Sequence, residues 1–318
     1  MGCIEPGTKR AAARSVRAAT HNQSGSKNSG NQNSEFVATK SQLAATRLFE
    51  EVLVRVPWRL KWTLAQLARP AEYRKHSAVL RSAPSFYFTT LEKLVPGLSP
   101  KVKYLTLANG HVIPVRDFMT LYIYKEIFVD RCYDLILDRS APVIVDIGAN
   151  TGLFALRLKQ LYPSARISCY EPFPPNFTQL QNTISVNKLD SVTPIQKAVG
   201  ARPGRAKLFI HKRNIGGHSF YATEALNAEY VDVEVIDLSS ILGDLQHDVD
   251  LLKLDCEGAE FDILMSLGGA DARKIRRIVV ETTSALYDVD QLNAQMTSLG
   301  YRHQPQDGLS VYIQRLAA

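Results

Sequence analysis

The chain has 318 residues, of which 45% are hydrophobic and 22% charged, the balance of a globular protein large enough for one sizeable domain and an appendage. No run of 18 or more apolar residues occurs, so a membrane-crossing helix is not expected. The net charge of +7 is uneven: residues 1–81 carry 14 Lys or Arg against 5 Asp or Glu, net +9, and the other 237 residues are net −2. The larger part therefore offers no basic surface, and nucleic acid is not its expected partner.

Residues 1–40 are rich in Ala, Ser, Asn, Gln, Gly and Arg and almost lack large apolar side chains, the composition of a disordered basic tail. Their Arg/Ser/Ala bias also resembles an organellar transit peptide, but there is no apolar core of a secretory signal. Met1-Gly2-Cys3 has the start of an acylation signal, yet Pro6 stands where that signal wants Ser or Thr. Residues 41–69 read as a helix interrupted at Pro57, with Leu43, Phe49, Val52 and Leu53 on one face. The basic, aromatic stretch Trp58-Arg-Leu-Lys-Trp62 leaves two readings for this segment. It packs on the main domain, or it makes a peripheral membrane or protein contact. Residues 70–100 are punctuated by proline and give no firm pattern. A hairpin is expected over 104–107 and 112–115, turned at Asn109-Gly110, with a short helix from Leu121 to Phe128.

From Val143 the pattern changes. Strands are expected at 143–147, 166–170, 192–196, 206–210, 230–235, 249–254 and 275–280. Helices are expected at 152–161, 175–187, 237–243, 258–267 and 289–299. A closing strand pair is expected near Ser310–Gln314. Such alternation implies a mostly parallel, doubly wound α/β sheet. Cys169 and Cys256 read as small packed residues of a reducing compartment, in keeping with a cytoplasmic protein; no cysteine lies in a C-x-x-C pair.

The densest signal is Val143-Ile-Val-Asp146-Ile-Gly148-Ala149-Asn150-Thr151-Gly152. An apolar strand runs into a glycine-spaced turn and then a helix N-terminus, the place where α/β sheets hold nucleotide-like ligands. Asn150 and Leu153 occupy the later glycine positions of the dinucleotide fingerprint, and no P-loop is present. Asp146 would repel a pyrophosphate and attract a cation. The pattern D-x-G-x-N-x-G therefore favours S-adenosylmethionine, with its ammonium and sulfonium, over NAD or ATP. Glu171, 19 positions after Gly152 at the end of the next strand, is placed to bind ribose hydroxyls, and Pro172 stops that strand.

A second constellation is Asp250-Leu-Leu-Lys-Leu-Asp255-Cys-Glu257-Gly-Ala-Glu260, followed by Glu281 at the end of the next strand. Glu260 reads as a helix cap. Asp255, Glu257 and Glu281 would lie on the sheet edge that carries the glycine turn. They could act as a general base toward a substrate hydroxyl, or as oxygen ligands to a divalent cation, a version that nothing in the spacing demands. His218, in the loop Gly216-Gly-His-Ser219, is a further candidate.

In order, Asp146-Ile-Gly-Ala-Asn-Thr-Gly152, Glu171-Pro172, Lys197-Ala198-Val-Gly200, Gly217-His-Ser219 and Leu252-Lys-Leu-Asp255-Cys-Glu-Gly-Ala-Glu260 resemble the motifs of FkbM-type methyltransferases. The resemblance spans roughly 104–315. It implies a class I, Rossmann-like fold and an S-adenosylmethionine-dependent O-methyltransferase acting on hydroxyls of sugars, glycolipids or natural products. It also implies that Ala198 lines the adenine. The chain then divides into a tail (1–40), a helical extension (41–103) and a methyltransferase domain (104–318). Two rivals remain: an NAD-linked oxidoreductase, and a non-catalytic binding protein that retains the fold.

Overall fold

The computed structural model describes residues 58–97, 103–210, 229–256, 258–282, 287–306 and 309–315. A boundary between Tyr73 and Arg74 divides the chain into two compact units. Among the described residues, no helix is long and apolar enough to cross a membrane.

The described part of the first unit is helical. Helix α1 (Trp58–Leu67) begins directly after Pro57, and α2 (Pro70–Val79), inside which the boundary falls, begins on a proline. Proline fits a first helical turn because its missing N–H has no intrahelical partner there. Leu60, Leu64 and Leu67 recur along one stripe of α1, and all three are exposed, Leu67 by 57%. Thr63 and Gln66, in contrast, are buried. The packed side of this helix is thus not its leucine stripe.

In the second unit, α3 (Ala83–Leu94) again carries a proline in its first turn. The hairpin forms as expected, β1 (Tyr104–Thr106) against β2 (Val112–Pro114), with Gly110 in the left-handed region at φ 95°. Helix α4 (Phe118–Tyr124) starts at Asp117, whose carboxylate accepts from Thr120 N at 3.0 Å. It ends in a π-helical turn, Lys125–Val129.

The remaining strands are β3 (Val143–Ile147), β4 (Arg166–Tyr170), β5 (Val192–Ile195), β6 (Ala198–Gly200), β7 (Gly204–Phe209), β8 (Tyr230–Asp237), β9 (Leu251–Leu254), β10 (Arg277–Glu281), β11 (Tyr301–Gln306) and β12 (Leu309–Gln314). Between them lie α5 (Leu153–Leu161), α6 (Pro174–Asn187), α7 (Leu238–Asp244), α8 (Glu260–Met265), α9 (Gly269–Ala272) and α10 (Val289–Ser298). The central sheet has the order β11-β12-β10-β9-β3-β4-β5. It is parallel from β10 to β5, and β12 closes it antiparallel against β10. This is the class I methyltransferase arrangement, in which the chain winds outward from β3 in one direction and then returns beside it with β9. The switch point lies between those two strands.

One expectation is corrected here. The strands near 206–210 and 230–235 do not join the parallel sheet. They pair antiparallel as β7 and β8 in a separate three-stranded sheet with β6. No described helix separates them, and β8 buries only alternate residues of its middle, the pattern of a sheet packed on one face.

Every residue of β3 and β9 is buried, because both faces of the central sheet are covered. On one face Val145, Ile147, Leu252, Leu254, Ile278 and Val280 pack with α7, α8 and α10. By the two-residue period of a strand, Asp146 and Lys253 point to the other face. The two are direct partners in the parallel register of β3 and β9. Asp250 ties the strand starts together: its carboxylate accepts from Val143 N at 2.9 Å and meets Arg139 and Arg276 at 3.5 and 3.4 Å.

Candidate active site

The C-terminal ends of four adjacent strands each carry an acid: Glu281 on β10, Asp255 just beyond β9, Asp146 on β3 and Glu171 just beyond β4. The turn Gly148–Gly152 leaves β3 on this edge. Gly148, Asn150 and Gly152 all lie in the left-handed region, at φ 77°, 49° and 81°. That alternation turns successive N–H groups inward. Gly148 N and Ala149 N donate to Tyr170 O at 3.0 Å each, and Asn150 N donates to Glu171 Oε2 at 2.9 Å. Glu171 Oε1 accepts from Phe173 N at 2.9 Å, across Pro172. Glu171 thus organises the turn with both of its oxygens and keeps further lone pairs for a ligand. Burial pushes its carboxyl up to about 7, against the downward pull of those two N–H groups.

Both glycines are needed for close approach. A Cβ on Gly148 would lie 1.9 Å from the Asp255 carbonyl oxygen, and one on Gly152 would lie 2.6 Å from Leu180 Cδ1 on α6. Thr183 on the same helix donates to Thr151 O at 2.8 Å. The turn is therefore wedged between the end of β9 and the flank of α6.

Lys253 is the residue that sequence patterns alone did not single out. It is 3% exposed, and its Nζ lies 3.1 Å from Asp146 Oδ1 and 3.5 Å from Asp255 Oδ2, and donates to Gly148 O at 3.0 Å. The Phe154 and Tyr133 rings stand 5.5 and 5.9 Å from the same nitrogen. Burial alone would pull the ammonium down, but the charges of Asp146 and Asp255 outweigh it and hold Lys253 above its ordinary value. Burial pushes the Asp146 carboxyl up, and Lys253 draws it back. We assign the ionised form to the pair, since two carboxylates face one ammonium. A signal for Lys253 does exist in the sequence: it is a charged residue inside the apolar strand Leu251-Leu-Lys-Leu254, and such a residue requires a buried counterion.

Asp146 is fully buried, and a protein ammonium occupies the position expected for the ligand's cation. Its contact with Lys253 is an ion pair, and neither Asp146 oxygen has a hydrogen-bond partner of good geometry. Thr151 Oγ1 is likewise buried without a partner. These atoms mark an edge with bonding capacity to spare. Glu260 behaves as the cap that was expected, accepting from Cys256 N at 2.6 Å and Gly258 N at 2.7 Å. Ala198 is buried on β6 among Phe173, Leu208, Val233 and Val235. Asp255 and Glu281 come to the same edge, whereas His218 and Glu257 lie outside the described residues. Tyr133, also missed from sequence, donates its hydroxyl to Asp255 Oδ2 at 3.3 Å.

A family model described as the methyltransferase FkbM domain matches residues 146–303. The chain is 33% identical over 211 residues to "Methyltransferase sdnD" of Sordaria araneosa, a match covering 57% of this chain and 81% of that protein. It is 30% identical over 207 residues to "Methyltransferase 1" of Beauveria bassiana (strain ARSEF 2860), covering 59% and 83%. It is 25% identical over 233 residues to "31-O-demethyl-FK506 methyltransferase FkbM" of Streptomyces tacrolimicus, covering 64% and 88%.

The close approach at Gly148 gives a direct expectation. Gly148→Ala adds left-handed strain to a clash with backbone and costs roughly 2–5 kcal/mol in urea unfolding. Gly243→Ala, on α7 with nothing within 4 Å, leaves stability equal or slightly higher. Equal midpoints for wild type and Gly148→Ala would show that the turn is not seated on β9.

Proposed function

The chain belongs to the FkbM methyltransferase family, and from that premise we propose that it methylates a hydroxyl oxygen of a small-molecule or glycan acceptor. Its methyl donor is S-adenosylmethionine. The donor set fits that cofactor. The edge holds four carboxyl groups against one buried ammonium, so it favours a cationic ligand and opposes a pyrophosphate. The unpartnered Thr151 Oγ1 lies on the turn, where such a ligand would complete its bonding. The row of acids across four adjacent strands is the single observation that carries the reading.

Glu171 would hold the ribose hydroxyls with the lone pairs left over from the turn. The turn backbone would hold the methionine end, with Asp146 contributing charge from behind rather than direct contact. When bound, the cofactor supplies an electrophilic methyl group. The protein's share is to align the acceptor oxygen with it, exclude water and receive a proton. Asp255 and Glu281 would form the acceptor side, with His218 and Glu257 as further candidates. The 31-O-demethyl acceptor in the name of the Streptomyces relative supports oxygen as the acceptor atom.

Calorimetric titration tests this reading. Wild type is expected to bind S-adenosylmethionine saturably and NAD not at all. Glu171→Ala should bind about 10- to 100-fold more weakly, the worth of one or two hydrogen bonds to a charged group. A folded wild type that binds NAD instead, or neither ligand, would overturn it.

A second reading concerns α1 alone. Its exposed leucines, flanked by Arg59 and Lys61, have the make-up of a helix that lies on an anionic bilayer. Full-length protein should then sediment with phosphatidylserine-containing vesicles more than with pure phosphatidylcholine vesicles, and Leu64→Glu/Leu67→Glu should remove the difference. Equal sedimentation with both vesicle types would sink this reading.

A further inference from the structure

Residues 132–138 precede the segment that the family model matches, yet they bring a side chain to the acidic edge of the sheet. They are pinned along their length. Gln306, at the end of β11, donates to Cys132 O at 3.3 Å. Arg157 on α5 grips Asp134, its Nε donating to Oδ1 at 2.9 Å and its Nη2 to Oδ2. The Tyr162 hydroxyl donates to Leu135 O at 3.0 Å and accepts from Leu137 N at 2.8 Å. Arg277 donates to Asp138 Oδ1 at 3.1 Å. Tyr133 is therefore held through both of its chain neighbours. Its ring stands edge-on to Phe154, with centroids 5.6 Å apart, and its hydroxyl donates to Asp255 Oδ2 at 3.3 Å.

We propose that Tyr133 is a positioning residue: it holds Asp255 by Oδ2 and so leaves Oδ1 to receive the hydrogen bond of the acceptor hydroxyl. The inference rests on the hydroxyl methyltransferase reading above and deepens it by assigning the contact that orients the acceptor.

Asp255 has two holders, and both engage the same oxygen. Lys253 Nζ lies 3.5 Å from Oδ2, and the Tyr133 hydroxyl donates to it. The ammonium is shared: it stands closer to Asp146, at 3.1 Å, and to Gly148 O, at 3.0 Å. The Tyr133 hydroxyl, in contrast, makes its hydrogen bond to Asp255 alone among the described residues. Burial first, and then the charges of Asp255, Glu281 and Glu126, hold this phenol well above its ordinary value, so it stays a donor. No described residue bonds to Asp255 Oδ1. The Asp255 side chain is 29% exposed, whereas Tyr133 is 9% exposed and Lys253 less still, so an acceptor reaches the carboxylate from the side that its holders leave open. The residue also borders the glycine turn, since a Cβ on Gly148 would meet its carbonyl oxygen. A carboxylate fixed by one oxygen beside that turn accepts from a hydroxyl with the other and sets the direction of the acceptor oxygen.

Tyr133→Phe keeps the ring against Phe154 and removes only the hydroxyl. In protein labelled with ¹³C at aspartate carboxyls, the Asp255 resonance, identified by its absence in Asp255→Asn, should shift and broaden in Tyr133→Phe as the released carboxylate rotates. An unmoved Asp255 resonance would overturn the proposal. Transfer of a labelled methyl group from S-adenosylmethionine to octyl β-D-glucoside reads the consequence. In Tyr133→Phe, kcat/KM for this probe should fall about 10- to 100-fold, the worth of one hydrogen bond to a charged group, with S-adenosylmethionine affinity unchanged. Asp255→Asn should fall at least as far, and adding Tyr133→Phe to it should lower kcat/KM no further, because Tyr133 acts through Asp255. Losses that multiply in the double variant, or an unaltered kcat/KM in Tyr133→Phe, would refute this role. A wild type that binds S-adenosylmethionine yet transfers no methyl group to the glucoside would count against the hydroxyl reading itself, and the carboxyl resonance would then decide the hold of Tyr133 on Asp255.

Discussion

One buried ammonium, Lys253, holds the acidic edge of the sheet together. It neutralises Asp146 on the neighbouring strand and Asp255 at the end of its own, and it donates to the carbonyl of Gly148. Each of these groups belongs to a different part of the site. Asp146 lies on the strand that leads into the turn, Gly148 begins the turn, and Asp255 follows β9 on the same edge. Without Lys253, the fully buried Asp146 carboxylate would have a second carboxylate, Asp255, as its neighbour and no counterion, and it could not remain charged at ordinary cost. The parallel register that sets Asp146 opposite Lys253 is therefore as much a part of the site as the side chains themselves.

From that pair the rest follows outward. The end of β9 presses so closely on the turn that only glycine fits at position 148. The N–H groups of Gly148, Ala149 and Asn150 are used on the Tyr170 carbonyl and the Glu171 carboxylate, which fixes Glu171 against the turn. The outcome is a negative edge with a single internal cation. Such an edge suits a cationic methyl donor and disfavours the phosphate-bearing cofactors that share this topology.

Much of this was legible in the sequence because it is local. The strands at 143–147 and 166–170 and the helix at 289–298 are written in apolar periodicity with clear turn residues at their ends. Asp146, Glu171 and Asp255 were legible because each follows an apolar strand directly. What escaped depends on contacts between distant segments. Pro70 and Pro84 look like interruptions in sequence, but they begin helices, as proline can in a first turn. The pairing of β7 with β8 outside the main sheet follows from which strand edges meet, and no local pattern reports that. Lys253 looked like one polar residue in an apolar strand until its register partner was known. Tyr133 sits before the recognisable alternation, and its contact with Asp255 joins residues 122 positions apart in the chain.

A double-mutant cycle between Lys253 and Asp146, read by urea unfolding, tests the central claim most directly. Lys253→Met alone should cost about 3–5 kcal/mol, because it leaves the buried Asp146 carboxylate without a counterion. With Asp146→Asn added, the loss should be smaller than the sum of the two single losses by about 1 kcal/mol or more. Losses that simply add would mean that the two residues do not act as a pair, and the account of this edge as built around Lys253 would fail.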